Sequence, residues 1–68
     1  MKTAKEMFEE LGLKYYETPF NDMFQYGEYI TGMVNFDTTY RHFDTNKTVG
    51  VELFKAIHQQ MKELGWIE

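Results

Sequence analysis

The sequence predicts an α+β domain: an N-terminal helix, an antiparallel meander of three or four strands, and a C-terminal helix, with both helices on one face of the sheet. Three observations lead there. Apolar residues recur at three- and four-residue spacing only near the two ends of the chain. The segment between is rich in aromatic and β-branched residues, interrupted at intervals by turn formers. A chain of 68 residues buries only about 60% of its extended surface, so it supports one core and the three segments must share a single domain, residues 1–68.

The first helix is expected over Ala4 to Leu11. Thr3 is placed to cap the first-turn amides while Glu6 reaches back, a capping box. Ala4, Met7, Phe8 and Leu11 then form one apolar stripe, with Glu6, Glu9 and Glu10 opposite, and Gly12 supplies the left-handed stop.

Strands follow from Leu13 to Thr18, closed by Pro19, and from Met23 to Tyr26. Gly27-Glu28 is read as a tight turn into a third strand, Tyr29 to Phe36. Its parity puts Ile30, Gly32, Val34 and Phe36 on a core face and Tyr29, Thr31, Met33, Asn35 and Asp37 on the other. A four-residue loop, Asp37 to Tyr40, leads to a fourth strand from Arg41 to Asp44, with Phe36 opposite Arg41 and Val34 opposite Phe43. After Thr45-Asn46-Lys47-Thr48, the second helix is expected from Val51 to Leu64, with Phe54, Ile57, Met61 and Leu64 as its stripe and Gly65 as its stop.

Composition removes several functions. There is no cysteine, so disulfides and thiolate zinc sites are excluded and stability rests on packing or self-association. A net charge of −4 opposes attraction to nucleic acid or to an anionic membrane surface. Neither a signal-peptide run nor a membrane-length apolar stretch is present, and a cytoplasmic protein is expected. Twelve aromatic residues, most of them between Tyr15 and Phe43, argue against disorder.

The stretch FDTTYRHFDT, Phe36 to Thr45, repeats Phe-Asp-Thr around a histidine. His42 with Asp37 and Asp44 offers three competent metal ligands but lacks a fourth and a supporting shell. We read it as a hairpin, with one copy entering the turn and the other leaving the strand, and expect no metal and no cofactor. Acid–base chemistry at His42 or His58 needs an enclosed pocket that so short a chain does not readily form. No phosphate-binding glycine loop, nucleophile elbow or helical His-Glu pair occurs, so a non-enzymatic protein is expected. Lys55, His58 and Lys62 share a helix flank able to meet a phosphate backbone, but Glu52 and Glu63 oppose it, and nucleic acid is not an expected partner.

The outer sheet face is the preferred candidate for function. Tyr29, Met33, Tyr40 and His42 are its candidate binding residues, with Tyr16 and Met23 beside them. Tyrosine and methionine are large and adaptable and carry no charge to desolvate, which suits a protein interface. The expected partner is another protein or a second copy of this chain, met by that face or by a sheet edge. The alternative is an acidic inhibitor that mimics a nucleic-acid backbone in the basic cleft of an enzyme.

The two ends of the chain, Lys2 to Gly12 followed by Tyr15-Tyr16, and Glu52 to Trp66, resemble a group of short phage, prophage and mobile-element proteins of Gram-positive bacteria. These begin with a KTAKEMFEELG-like helix and end with an LKAINKQIEELGW-like one. The resemblance covers both helices. The middle departs from it: Thr18 to Met23 is longer, and Gly50 stands where a threonine cap is usual. What the resemblance implies is a setting, an accessory gene expressed in a bacterial host, where the partner would be a host or phage protein and the acidic alternative would inhibit a host nuclease or defence enzyme; no catalytic or binding residue carries over with it.

Overall fold

The computed structural model describes residues 1–68. Its element order is α1 (Ala4–Glu10), β1 (Tyr15–Glu17), β2 (Met23–Glu28), β3 (Gly32–Asp37), β4 (His42–Thr45) and α2 (Val51–Glu63). The strands form one antiparallel sheet in the order β1-β2-β3-β4. The fold is α+β, and Met23 to Tyr26 belongs to a central strand.

Local chemistry sets the helix ends. Thr3 Oγ1 accepts from the Glu6 amide at 3.2 Å while the Thr3 amide donates to Glu6 Oε1 at 2.8 Å, a complete capping box. Both helices stop in the same way. Leu13 N–H bonds to the Phe8 carbonyl and Gly12 N–H to Glu9; Trp66 N–H bonds to Met61 and Gly65 N–H to Lys62. Gly12 and Gly65 take φ of 80° and 77°, the left-handed residue that each Schellman turn requires. Gly50 offers no side-chain cap, yet α2 still starts at Val51.

One cluster joins both helices to one face of the sheet: Ala4 and Phe8 from α1, Leu13, Tyr26, Val34 and Phe36 from the sheet layer, and Leu53, Ala56 and Ile57 from α2. Phe8 stacks on Tyr26 with ring centroids 4.0 Å apart, and Phe36 meets the rings of Phe8, Phe24, Tyr26, Phe43 and Trp66. The helices also bond directly, since the Ala4 amide donates to Glu63 Oε2 at 2.8 Å.

Several expectations are corrected. The first strand is shorter than Leu13 to Thr18, because Leu13 closes the α1 stop and is buried there. Gly27-Glu28 is not the turn. Gly27 sits inside β2 at φ 85°, and an added Cβ would lie 2.3 Å from the Gly32 carbonyl oxygen, so a close backbone approach explains the glycine. The reversal is Tyr29 to Thr31, which leaves Ile30 in a turn and 94% exposed instead of in the core.

The β3–β4 loop is Thr38 to Arg41, one residue later than expected. Phe36 therefore faces Phe43, Val34 faces Thr45, and Asp37 faces His42. Arg41 closes the loop at φ 58°, and Asp37 stays in the ladder while its Oδ1 accepts from the Thr39 and Tyr40 amides. The pairing moved by an even number of residues, so each side chain kept its expected face.

On α2, Phe54 is 56% exposed, and the buried face is Leu53, Ala56, Ile57 and Gln60. Gln60 is buried because its Oε1 accepts from the Tyr26 hydroxyl. Burial pushes that hydroxyl's pKa up to about 12, with the Glu63 carboxylate adding to the effect.

Candidate functional site

Both helices lie on the face of Phe24, Tyr26, Val34 and Phe36, so the opposite face is bare. Strand alternation places Tyr16, Met23, Gln25, Met33, Asn35, Asp37, His42 and Asp44 there. Along the β1–β3 side of this face runs an open cleft of about 530 Å³. Met23, Gln25, Met33 and Asn35 lie on its strands; Phe20, from the β1–β2 loop, and Tyr29, from the β2–β3 turn, bound its two ends.

Each end is fixed by backbone bonding. Asn46 Nδ2 donates to the Tyr29 carbonyl and Asn46 Oδ1 accepts from the Met33 amide, both at 2.7 Å, which ties the β2–β3 turn to the end of β4. At the other end Thr18 Oγ1 donates to the Met23 carbonyl at 2.9 Å and to the Phe20 carbonyl at 3.1 Å. The Asp22 carbonyl accepts from both the amide and hydroxyl of Thr38, joining the β1–β2 loop to the β3–β4 loop. The exposed rings of Phe20 and Tyr29 thus stand on anchored turns.

The charges lining the cleft are those of Glu17 and Glu28, and no lysine or arginine lines it. Asn35 Oδ1 is buried without a hydrogen-bond partner. An unmade bond of this kind costs about 1–3 kcal/mol. Gln25 Nε2 is already engaged with the Gly27 carbonyl at 2.9 Å.

The four sequence-predicted site residues divide into two pairs. Tyr29 and Met33 share the cleft. Tyr40 and His42 lie at the other end of β3, where their rings stack with centroids 6.1 Å apart. His42 stands between two carboxylates, Nε2 being 3.9 Å from Asp37 Oδ2 and Nδ1 being 3.9 Å from Asp44 Oδ2. Asp37 Oδ1 is spent on the turn amides, and no three such side chains converge as a metal site. In the second Phe-Asp-Thr copy, Thr45 Oγ1 donates to the Met33 carbonyl at 2.8 Å, so both copies bond the hairpin's own backbone.

Phe20 and Gln25 escaped the sequence reading. Phe20 follows a proline in a loop, where periodicity assigns no face, and the length of the Thr18–Met23 segment was the signal available for it. Gln25 lay inside the expected strand Met23 to Tyr26 and shares the parity of Met23, which was the signal available for it.

No helix is long and apolar enough to cross a membrane. Compared with known proteins, the chain matches no protein-family model, no curated protein and no solved structure, so its functional reading rests on its own residues.

Proposed function

We propose that this protein is a non-enzymatic interaction module whose bare sheet face docks a protein partner. The observation that supports this is the cleft itself: two aromatic rings held on anchored turns at the ends of a strand surface carrying two methionines and two amides. Methionine adapts to varied apolar shapes, while an anchored ring loses little freedom on binding. The two rim glutamates and the absence of a lining cation favour a partner segment with an apolar anchor flanked by lysine or arginine. An accessory protein of a mobile element, the setting that the resemblance implies, acts through such contacts with host or phage proteins.

The test is paired affinity capture from a bacterial host lysate, with unmodified protein beside Met33→Asp, Tyr29→Asp and Tyr40→Asp variants of unchanged far-UV spectrum. A protein retained by the unmodified chain and by Tyr40→Asp, but lost with Met33→Asp and Tyr29→Asp, is the expected result. A partner retained equally by all four chains would sink the assignment of the cleft. Retention should also survive moderate salt, because the anchor is apolar; an acidic nucleic-acid mimic would lose its partner there.

A further inference from the structure

The two edges of the sheet differ in what they offer a further strand. β1 is three residues long and is followed by Pro19, and Lys5 Nζ of α1 lies 5.5 Å from the Tyr15 ring centroid. β4 has no proline, and its core-face aromatic, Phe43, is 36% exposed although it lies beside Phe36.

The ladder fixes which groups of β4 are free. The Asn46 amide donates to the Met33 carbonyl, so by alternation His42 and Asp44 bond toward β3, while Phe43 and Thr45 turn their N–H and C=O outward. This leaves the N–H and C=O groups of Phe43 and Thr45 unpaired along the edge.

We propose that a second copy of the chain pairs antiparallel with this edge about a two-fold axis at Phe43, joining two four-stranded sheets into one of eight. The side chains select that register. Centred on Phe43, each His42 faces the Asp44 of the other copy, imidazole N–H donor against carboxylate acceptor, and the contact occurs twice by symmetry. A two-fold at residue 44 opposes two aspartates, and one at residue 42 opposes two histidines. Charged side chains that discourage indiscriminate edge pairing thus fit one register of self-pairing.

The helix layer agrees with this axis. α1 packs against the α2 flank that carries Glu52, Gln59 and Glu63, as the Ala4–Glu63 bond shows. Phe54 and His58, stacked with centroids 6.1 Å apart, occupy the opposite flank of α2. A two-fold perpendicular to the sheet keeps all helices on one side and turns those flanks toward each other, so Phe43 and Phe54 lose solvent together. The bare-face cleft lies over β1 to β3 and stays open, so this pairing stands apart from partner docking.

Sedimentation velocity from about 10 µM to about 1 mM tests the pairing on the unmodified chain, and a concentration-dependent monomer–dimer equilibrium is expected. Asp44→Lys, at an exposed position, should weaken the dimer about tenfold or more with the far-UV spectrum unchanged. An isotope-filtered NOE from His42 Hα of one copy to Asp44 Hα of the other should identify the register. A chain that stays monomeric throughout, including one that pairs its edge only with a foreign peptide, overturns the proposal. So does a dimer that Asp44→Lys leaves intact.

Discussion

The two faces of the sheet are built from the same four strands and differ in what is asked of each side chain. On the covered face, Phe24, Tyr26 and Phe36 pack edge to face or stacked at centroid separations of 5.3–6.2 Å, and Val34 is fully buried. Each ring there is held by several neighbours. On the bare face, methionines, amides and charged groups share the strands with Tyr16, and the exposed rings of Phe20, Tyr29 and Tyr40 stand at its ends on turns. The covered face has found its partners within the chain; the bare face has its polar groups bonded mainly along its own backbone and keeps its apolar atoms available. Stability and recognition are thus separated by strand parity, and substitutions on the two faces should separate in their effects.

The largest effect should come from Phe36→Ala. Truncating a fully buried ring that meets five others costs about 3–5 kcal/mol, comparable with the whole stability of a domain this small. Thermal melts should show little or no cooperative transition. A variant that still melts within a few degrees of the unmodified protein would mean that this face is not the core.

Tyr26→Phe should cost less, about 1–3 kcal/mol, because it leaves Gln60 Oε1 buried without its donor. The same hydroxyl gives a pH signature. Its folded pKa of about 12 lies above the ordinary 10.0, so its contribution is complete below pH 10.0 and is lost as pH rises toward 12. Urea midpoints of the unmodified protein should therefore fall over that window, and Tyr26→Phe should flatten the fall. An unchanged alkaline limb in the variant would remove Tyr26 as its source.

The smallest effect on folding should be that of Met33→Ser, because Met33 is next to Val34 on β3 but has the opposite parity and faces the cleft. A half-buried methionine on an open surface should change the urea midpoint by under about 1 kcal/mol. Loss of partner capture without loss of stability would sharpen the contrast between the faces. A cost matching that of Tyr26→Phe would erase it.

Legibility followed the range of the interactions. Thr3, Glu6, Gly12 and Gly65 act within one turn of chain, so both helix ends could be read to within a residue. Strand parity was readable for the same reason, since alternation needs only the backbone. Two of the four predicted binding residues came with it: Met33 and Tyr29 were placed by parity and belong to the cleft. Tyr29 reached it from a turn instead of a strand. Ile30 was misread because its spacing fits a strand whose actual start, Gly32, depends on the close approach of Gly27.

The rotation of α2 needed a contact 34 residues away in sequence, the Tyr26 hydroxyl on Gln60, which makes a polar residue a core residue and leaves Phe54 outside. Element order, caps and the sets of strand residues that share a face follow from local pattern, because propensity, capping and alternation act between near neighbours. Tertiary structure decided where each turn falls, which flank of α2 is buried, and that Phe20 and Tyr29 bound one cleft. Those outcomes depend on closing backbone and side-chain contacts between segments far apart along the chain, and a local pattern does not encode which of several such closures satisfies the most groups at once.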